Sequence, residues 1–208
     1  MVKKLKPQSV CLYIEGGGRQ KELQEELRRG FRRFFEKAGC GERMPKIVAG
    51  GGREQTFDRF QTAITIGEKA ILLVDSEDLV HTTCKSPWKH FEQRKGDKHW
   101  TQPKEASDDD AHLMVCCMES WFLADRDVLK EYFGHGFNES VLPHKDNPIE
   151  SVPKQKVLDG LKNATKNCKK KAGYDKGEHS FALIGLIDPK KVEEASPWAK
   201  KLLERIEK

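Results

Sequence analysis

KAILLVDSED, residues 69–78, runs five apolar residues, Ala70 to Val74, straight into the carboxylates Asp75, Glu77 and Asp78. A short, uninterrupted apolar run bounded by charge reads as a strand buried on both faces, as in a parallel sheet covered by helices. Upstream, SVCLYI at 9–14 is a second such run, ended by EGGG. QKELQEELRRGFRRFFEKA at 20–38 places Leu23, Leu27, Phe31, Phe34 and Phe35 at helical spacing, and Gly39 follows as a stop. PKIVAGGG at 45–52 is another strand entering a glycine turn, and Phe57, Phe60, Ala63 and Ile64 carry a helix towards Gly67. The first 78 residues therefore read βαβαβ. That alternation implies parallel pairing, right-handed crossovers and chemistry outside the strand C-termini.

Downstream, AHLMVCCM at 111–118 reads as a fourth strand and ESWFLADRDVLKEYFG as a helix closed by Gly134. Residues 79–110 between the third and fourth strands form a long insertion, either disordered or functional. From 151 the chain reads as helices: PKQKVLDGLKNATKNCKKK, HSFALIGLI and SPWAKKLLERIEK, the last capped by Ser196 with Pro197 at its first position. The expected architecture is a single α/β domain over 1–208. It has a mostly parallel sheet of four or five strands flanked by helices, the insertion at 79–110 and a helical C-terminal extension at 151–208.

The chain has 208 residues, with 38 Lys and Arg against 33 Asp and Glu, a net +5 that is too small to define a nucleic-acid partner by its sum. No stretch approaches the roughly 18 to 20 apolar residues needed to cross a bilayer, and MVKKLKPQSV lacks an apolar signal core. A cytoplasmic protein with no membrane association is the expectation. The six cysteines form no CxxC, so reduced thiols are expected, with Cys116 and Cys117 inert in an apolar strand.

Acids follow three of the apolar runs: Glu15 after LYI, Asp75 and Glu77 after ILLV, and Glu119 after MVCCM. Parallel strands would place all of them on one sheet edge, where oxygen ligands suit Mg²⁺ or Mn²⁺. Strand-terminal acids that merely solvate the edge are the plain alternative. The Gly16-Gly17-Gly18 turn offers backbone donors to a phosphate, and EGGGRQ at 15–20 is echoed by AGGGRE at 49–54. It is not a Walker A loop, since Lys21 is followed by Glu22. Residues 85–104 interleave Lys85, Lys89, Arg94, Lys95, Lys98 and Lys104 with Trp88, Phe91 and Trp100. They read either as stacking platforms for unpaired nucleotides or as a solvated loop whose aromatics pack on the domain. Residues 154–176 carry Lys154, Lys156, Lys162, Lys166, Lys169, Lys170, Lys171 and Lys176, a phosphate-tracking or solubilising face. His81, Cys84, His90 and His99 match no familiar zinc spacing. His179 reads as a proton shuttle or a surface histidine.

IEGGGRQKE, ILLVDSED, CCMESWFLAD and YDKGEH, in that order, resemble the bacterial proteins called domain of unknown function family 4276. These look like relatives of the Toprim superfamily, especially its RloB-like and OLD-nuclease branches. The resemblance implies a Toprim-like Rossmannoid three-layer fold in which Glu15 is the Toprim glutamate and Asp75 with Glu77 the acidic motif. Glu77 stands where the family pattern has an Asp, with Asp78 beside it. Glu119 is similar to the Glu-x-Trp segment of RloB-like proteins, and Lys176 to a late lysine of the nuclease branches. What this implies is a Mg²⁺- or Mn²⁺-dependent nuclease acting on DNA or RNA. Glu15, Asp75 and Glu77 would hold metal, Glu119 and Lys176 would join the catalytic set, and Arg19, Lys21, Arg53, Lys89 and Arg94 would grip the substrate. A neighbouring ABC-type ATPase in a phage-defence or restriction system is the implied partner, and homo-oligomerisation is left open. A non-catalytic subunit binding nucleic acid or the ATPase, and a phosphotransferase acting on small nucleotides, are the competing classes.

Overall fold

The computed structural model describes residues 10–208 except Lys98, Lys170 and Ala172, so the expectations for those two lysines lie outside the described residues. The chain order is β1 (Cys11–Glu15), α1 (Lys21–Lys37), β2 (Lys46–Gly51), α2 (Arg53–Thr65), β3 (Ala70–Asp75), α3 (Pro87–Gln93), β4 (Ala111–Met114) and α4 (Arg126–Phe133). The helices α5 (Lys154–Thr165), α6 (Lys176–Leu186), α7 (Pro189–Ala195) and α8 (Pro197–Glu207) follow. All strand pairs are parallel, in the order β2-β1-β3-β4, with Leu12 in register with Ile47 and Ile71, and Leu73 with His112.

Both faces of the sheet are covered, as the unbroken apolar run of β3 requires. Leu12, Ile14, Ile71 and Leu73 meet Leu27, Phe31, Phe34 and Phe35 of α1 and the apolar sides of α5, α6 and α8. Ala70, Leu72 and Val74 meet Phe57 and Phe60 of α2 on the opposite face, together with Trp88, Phe91 and Trp100 of the insertion. The result is a three-layer α/β arrangement. The expected Ser196 cap is present, its side chain accepting from Ala199 N, and Pro197 opens α8. Gly39, Gly67 and Gly134 follow α1, α2 and α4 with positive φ, the left-handed stops their positions predict.

Two expectations are corrected, and one reading left open is decided. The fourth strand ends at Met114 because the chain is turned over the end of β3. There the Ser76 hydroxyl accepts from Cys116 N at 2.7 Å, and Cys116 is forced to φ 61. The helix expected after it is split into a buried 3-10 helix, Met118–Ala124, and the shorter α4. An amphipathic α-helix cannot serve here, since Met118 to Leu123 are buried on every side. The insertion is a folded layer rather than a display of stacking platforms. Trp100 stacks on Phe57 at 4.2 Å and donates to Glu54, and Trp88 donates to the Ser107 carbonyl. Rings buried and hydrogen-bonded in this way are not open to bases.

All six cysteines are free, and burial pushes the Cys116 thiol up to about 11, in keeping with inert buried thiols. His112 on β4 is buried and bonds the Asp109 carbonyl, and burial lowers its pKa to about 4. The unfolded chain takes up this proton near pH 6.5 and the folded chain only near 4. Full stability is therefore present above 6.5 and is lost as pH falls between the two, by about 3 kcal/mol. Urea midpoints measured from pH 7 to 4 should show this acid loss in the native protein, and a markedly smaller one in His112→Gln.

Candidate metal centre

Glu15 ends β1 and Asp75 ends β3, the two central strands, whose connections leave in opposite directions, to β2 and to β4. That divergence opens a crevice at the strand C-termini, the usual ligand position in a doubly wound sheet. The Asp75 backbone N–H donates to Glu15 Oε2 at 3.2 Å, drawing the two strand ends together. Glu77 lies two residues on, at φ 66, its N–H bonded to the Cys116 carbonyl. This left-handed turn directs its carboxylate back over the strand end, a strained conformation of the sort that clusters at functional sites. Glu15, Asp75 and Glu77 each offer an oxygen within 4.8 Å of the other two. Asp78 points away, with a side chain 71% exposed that meets Arg94 at 3.1 Å. Of the two adjacent acids, Glu77 joins the cluster.

Three cations border these acids. Arg53, the first residue of α2, donates from Nη1 to Glu15 at 3.1 Å and to the Asp75 carbonyl, and it grips Asp97 through Nε and Nη2 at 3.1 and 2.7 Å. Its guanidinium lies 4.7 Å from the Trp100 ring centre. Lys154 Nζ is 2.8 Å from both oxygens of Glu77, and Lys176 Nζ is 3.5 Å from Asp75 Oδ2 and 3.4 Å from Glu119 Oε2. Glu119 is fully buried, and its other oxygen accepts from the Tyr174 hydroxyl at 2.9 Å. It sits on the 3-10 helix after β4 rather than at a strand end.

Four carboxylates, Glu15, Asp75, Glu77 and Glu119, thus face three cations, one of which is shared with Asp97. The acids remain under-neutralised. Burial and then the neighbouring Asp75 raise Glu15 to about 7, against the opposing charge of Arg53. Burial likewise raises Asp75 above the ordinary carboxylate value. Burial works against the Lys176 charge, but Asp75 and Glu119 outweigh it and hold the ammonium protonated above its usual range. Such a set of hard oxygens, with more carboxylates than cations around it, could hold a metal ion.

The other sequence candidates are placed differently. Gly16 and Gly51 bond to each other, N to O, at 2.8 and 3.0 Å, so the echoed glycine turns clasp one another. Gly16, Gly17 and Gly18 all have positive φ, and a Cβ on Gly16 would lie 2.9 Å from the Leu27 side chain. Those positive φ values are what a tight turn requires, and the Gly16 N–H is already spent. Arg19, Lys21 and Lys89 are exposed. Arg94 is half-buried and bonded to Asp78 and Asp97. His81, Cys84, His90 and His99 have separate partners: Thr83, the Ser86 carbonyl, the Ser76 carbonyl and Glu54. Among the described residues the acid triad alone has metal-binding geometry.

Lys154, Asp97 and Tyr174 are members of the site that the sequence did not single out as such. His179 is buried among Tyr132, Phe133 and Tyr174, so it is not a surface histidine. Its Nδ1 accepts from the Asp175 N–H at 3.0 Å, and Asp175 caps α6 through Gly177 N and Glu178 N. Both contacts hold Lys176 at the start of its helix.

The family model for the domain of unknown function DUF4276 matches residues 14–207. The chain belongs to the DUF4276 family. The match takes in every member of the acid and lysine cluster and runs on through the C-terminal helices, so the DUF4276 unit includes α5 and α6, which bring Lys154 and Lys176 to the site. Comparison with curated proteins and with solved structures returns no match. No helix in the described residues of this DUF4276 protein is long and apolar enough to cross a membrane.

Proposed function

We propose that this DUF4276 protein is a Toprim-type nuclease that hydrolyses phosphodiester bonds with Mg²⁺ or Mn²⁺. The observation that carries the reading is the convergence of Glu15, Asp75 and Glu77 within 4.8 Å at the crevice between β1 and β3, with Lys176 beside them. Glu15, Asp75 and Glu77 would hold the metal, which supplies Lewis-acid polarisation of phosphoryl oxygen and a more acidic bound water. Glu15, which burial and Asp75 raise to about 7 and Arg53 steers, gives up its proton on joining the metal ligands. Lys176, kept charged by Asp75 and Glu119, faces the negative charge that grows on the phosphoryl oxygens. Four of the five Arg53 N–H donors are engaged by Glu15, the Asp75 carbonyl and Asp97, so Arg53 would act chiefly by steering Glu15.

The resemblance to RloB-like and OLD-type proteins supports the rest of the reading: a cytoplasmic effector of a phage-defence or restriction system, controlled by an ABC-type ATPase. The test is incubation of the protein with Mg²⁺ or Mn²⁺ and single- or double-stranded DNA or RNA, alone and with an ATPase encoded beside it. Mn²⁺ binding should tighten as pH rises through about 7, where Glu15 gives up the proton that competes with the metal. Cleavage should vanish in Glu15→Gln. Metal binding without turnover on any substrate, with or without the ATPase, would assign the protein instead to a non-catalytic binding role.

A further inference from the structure

Lys154 opens α5 and reaches the acid cluster. Its ammonium sits 2.8 Å from each oxygen of Glu77 and 3.5 Å from Asp75 Oδ2, so it engages two of the three carboxylates of the candidate centre. Lys176 meets the same Asp75 oxygen at 3.5 Å, but its second partner, Glu119, lies outside the triad. The segment between the two lysines therefore starts and ends on one carboxylate oxygen. The two ammoniums are not equivalent. A divalent cation bound to Glu15, Asp75 and Glu77 can leave Lys176 with Glu119, whereas both oxygens of Glu77 are already taken by Lys154.

We infer that Lys154 is a resident counter-ion of the Glu77 side of the centre, displaced when a divalent cation enters, and that its freed ammonium then binds a phosphate oxygen of the nucleic-acid substrate. The inference rests on the reading of the triad as a Mg²⁺ or Mn²⁺ site. The exchange needs only a side-chain movement, because the Lys154 side chain is 27% exposed and is carried on a flexible four-carbon stem. An ammonium displaced from a carboxylate at the mouth of a crevice meets the next anion to arrive, and in a nuclease that anion is the phosphodiester. Metal and substrate then favour each other's binding, since the metal frees the group that the phosphate uses. The exposed Lys156 and Lys162 lie on the same helix, which at 12 residues extends about 18 Å, and the exposed Lys166 follows at its C-cap.

The experiment is calorimetric titration with Mn²⁺ of the native protein and of Lys154→Met, Lys154→Arg and Asp75→Asn, each checked for an intact fold by near-UV circular dichroism. Lys154→Met removes the competing charge and should bind Mn²⁺ roughly tenfold more tightly, whereas Lys154→Arg should stay near the native affinity. In Ca²⁺, binding of a fluorescent single-stranded oligonucleotide should weaken several-fold in Lys154→Met and be retained in Lys154→Arg. Unchanged or weaker Mn²⁺ binding in Lys154→Met, with binding lost in Asp75→Asn, would overturn the counter-ion role and leave the metal centre standing. Native Mn²⁺ affinity in Asp75→Asn would instead remove the triad reading and this inference with it. Tighter Mn²⁺ binding together with unchanged oligonucleotide binding would overturn the phosphate half.

Discussion

Asp75→Asn is expected to lower metal affinity by about a hundredfold or more and to reduce metal-dependent cleavage to background, while the fold survives. The metal loss exceeds the 10- to 100-fold typical of merely outer-shell changes because a ligand charge is removed. Asp75 Oδ1 accepts the Met118 N–H at 2.8 Å, and an asparagine carbonyl can keep that bond, so the start of the 3-10 helix stays in place. What disappears is the negative charge that Lys154 and Lys176 both approach at 3.5 Å. Mn²⁺ calorimetry and a cleavage assay on the same preparation separate the two effects. Native metal affinity in a folded Asp75→Asn protein would show that the strand-end acids hold no ion.

The second large effect concerns folding. Gly30 sits inside α1 where α6 crosses it, and a Cβ there would lie 2.2 Å from the Phe181 carbonyl oxygen and 3.1 Å from its carbon. Both are backbone atoms, so relief requires the helices to part. Gly30→Ala gains about 1 kcal/mol of helix propensity but should lose more through the forced separation, for a net destabilisation of about 2 kcal/mol. Urea unfolding should show a lower midpoint at unchanged slope. The damage should also reach the site, because α6 carries Lys176 in its first turn and Phe181 packs beside Gly16. A midpoint equal to or above the native one would mean that the α1–α6 contact is looser than described.

Glu15, Asp75 and Glu77 were legible as a group before any tertiary contact was known, because strand ends are marked locally. An apolar run stops, acids begin, and parallel alternation puts the ends on one edge. Glu119 was legible as a participant but not in its position, since the strand assigned up to Met118 ends at Met114. The basic and aromatic stretch at 85–104 was open to two readings that composition alone cannot separate. The partners of its rings, Phe57, Glu54 and the Ser107 carbonyl, are what decide in favour of packing.

The alternation of apolar runs and amphipathic helices, set by side-chain periodicity along short stretches, was enough to define a parallel α/β sheet and the edge where its acids collect. Contacts between distant parts of the chain settled the rest. Glu77 rather than Asp78 turns inward because its N–H meets the Cys116 carbonyl on the turn after β4. Lys154 reaches Glu77 across 77 residues of sequence, because α5 packs its apolar side against the core and so delivers its first residue to the end of β3. A lysine in a basic helix carries no local mark of the carboxylate it will meet. That pairing exists only once the sheet and the helices around it are closed.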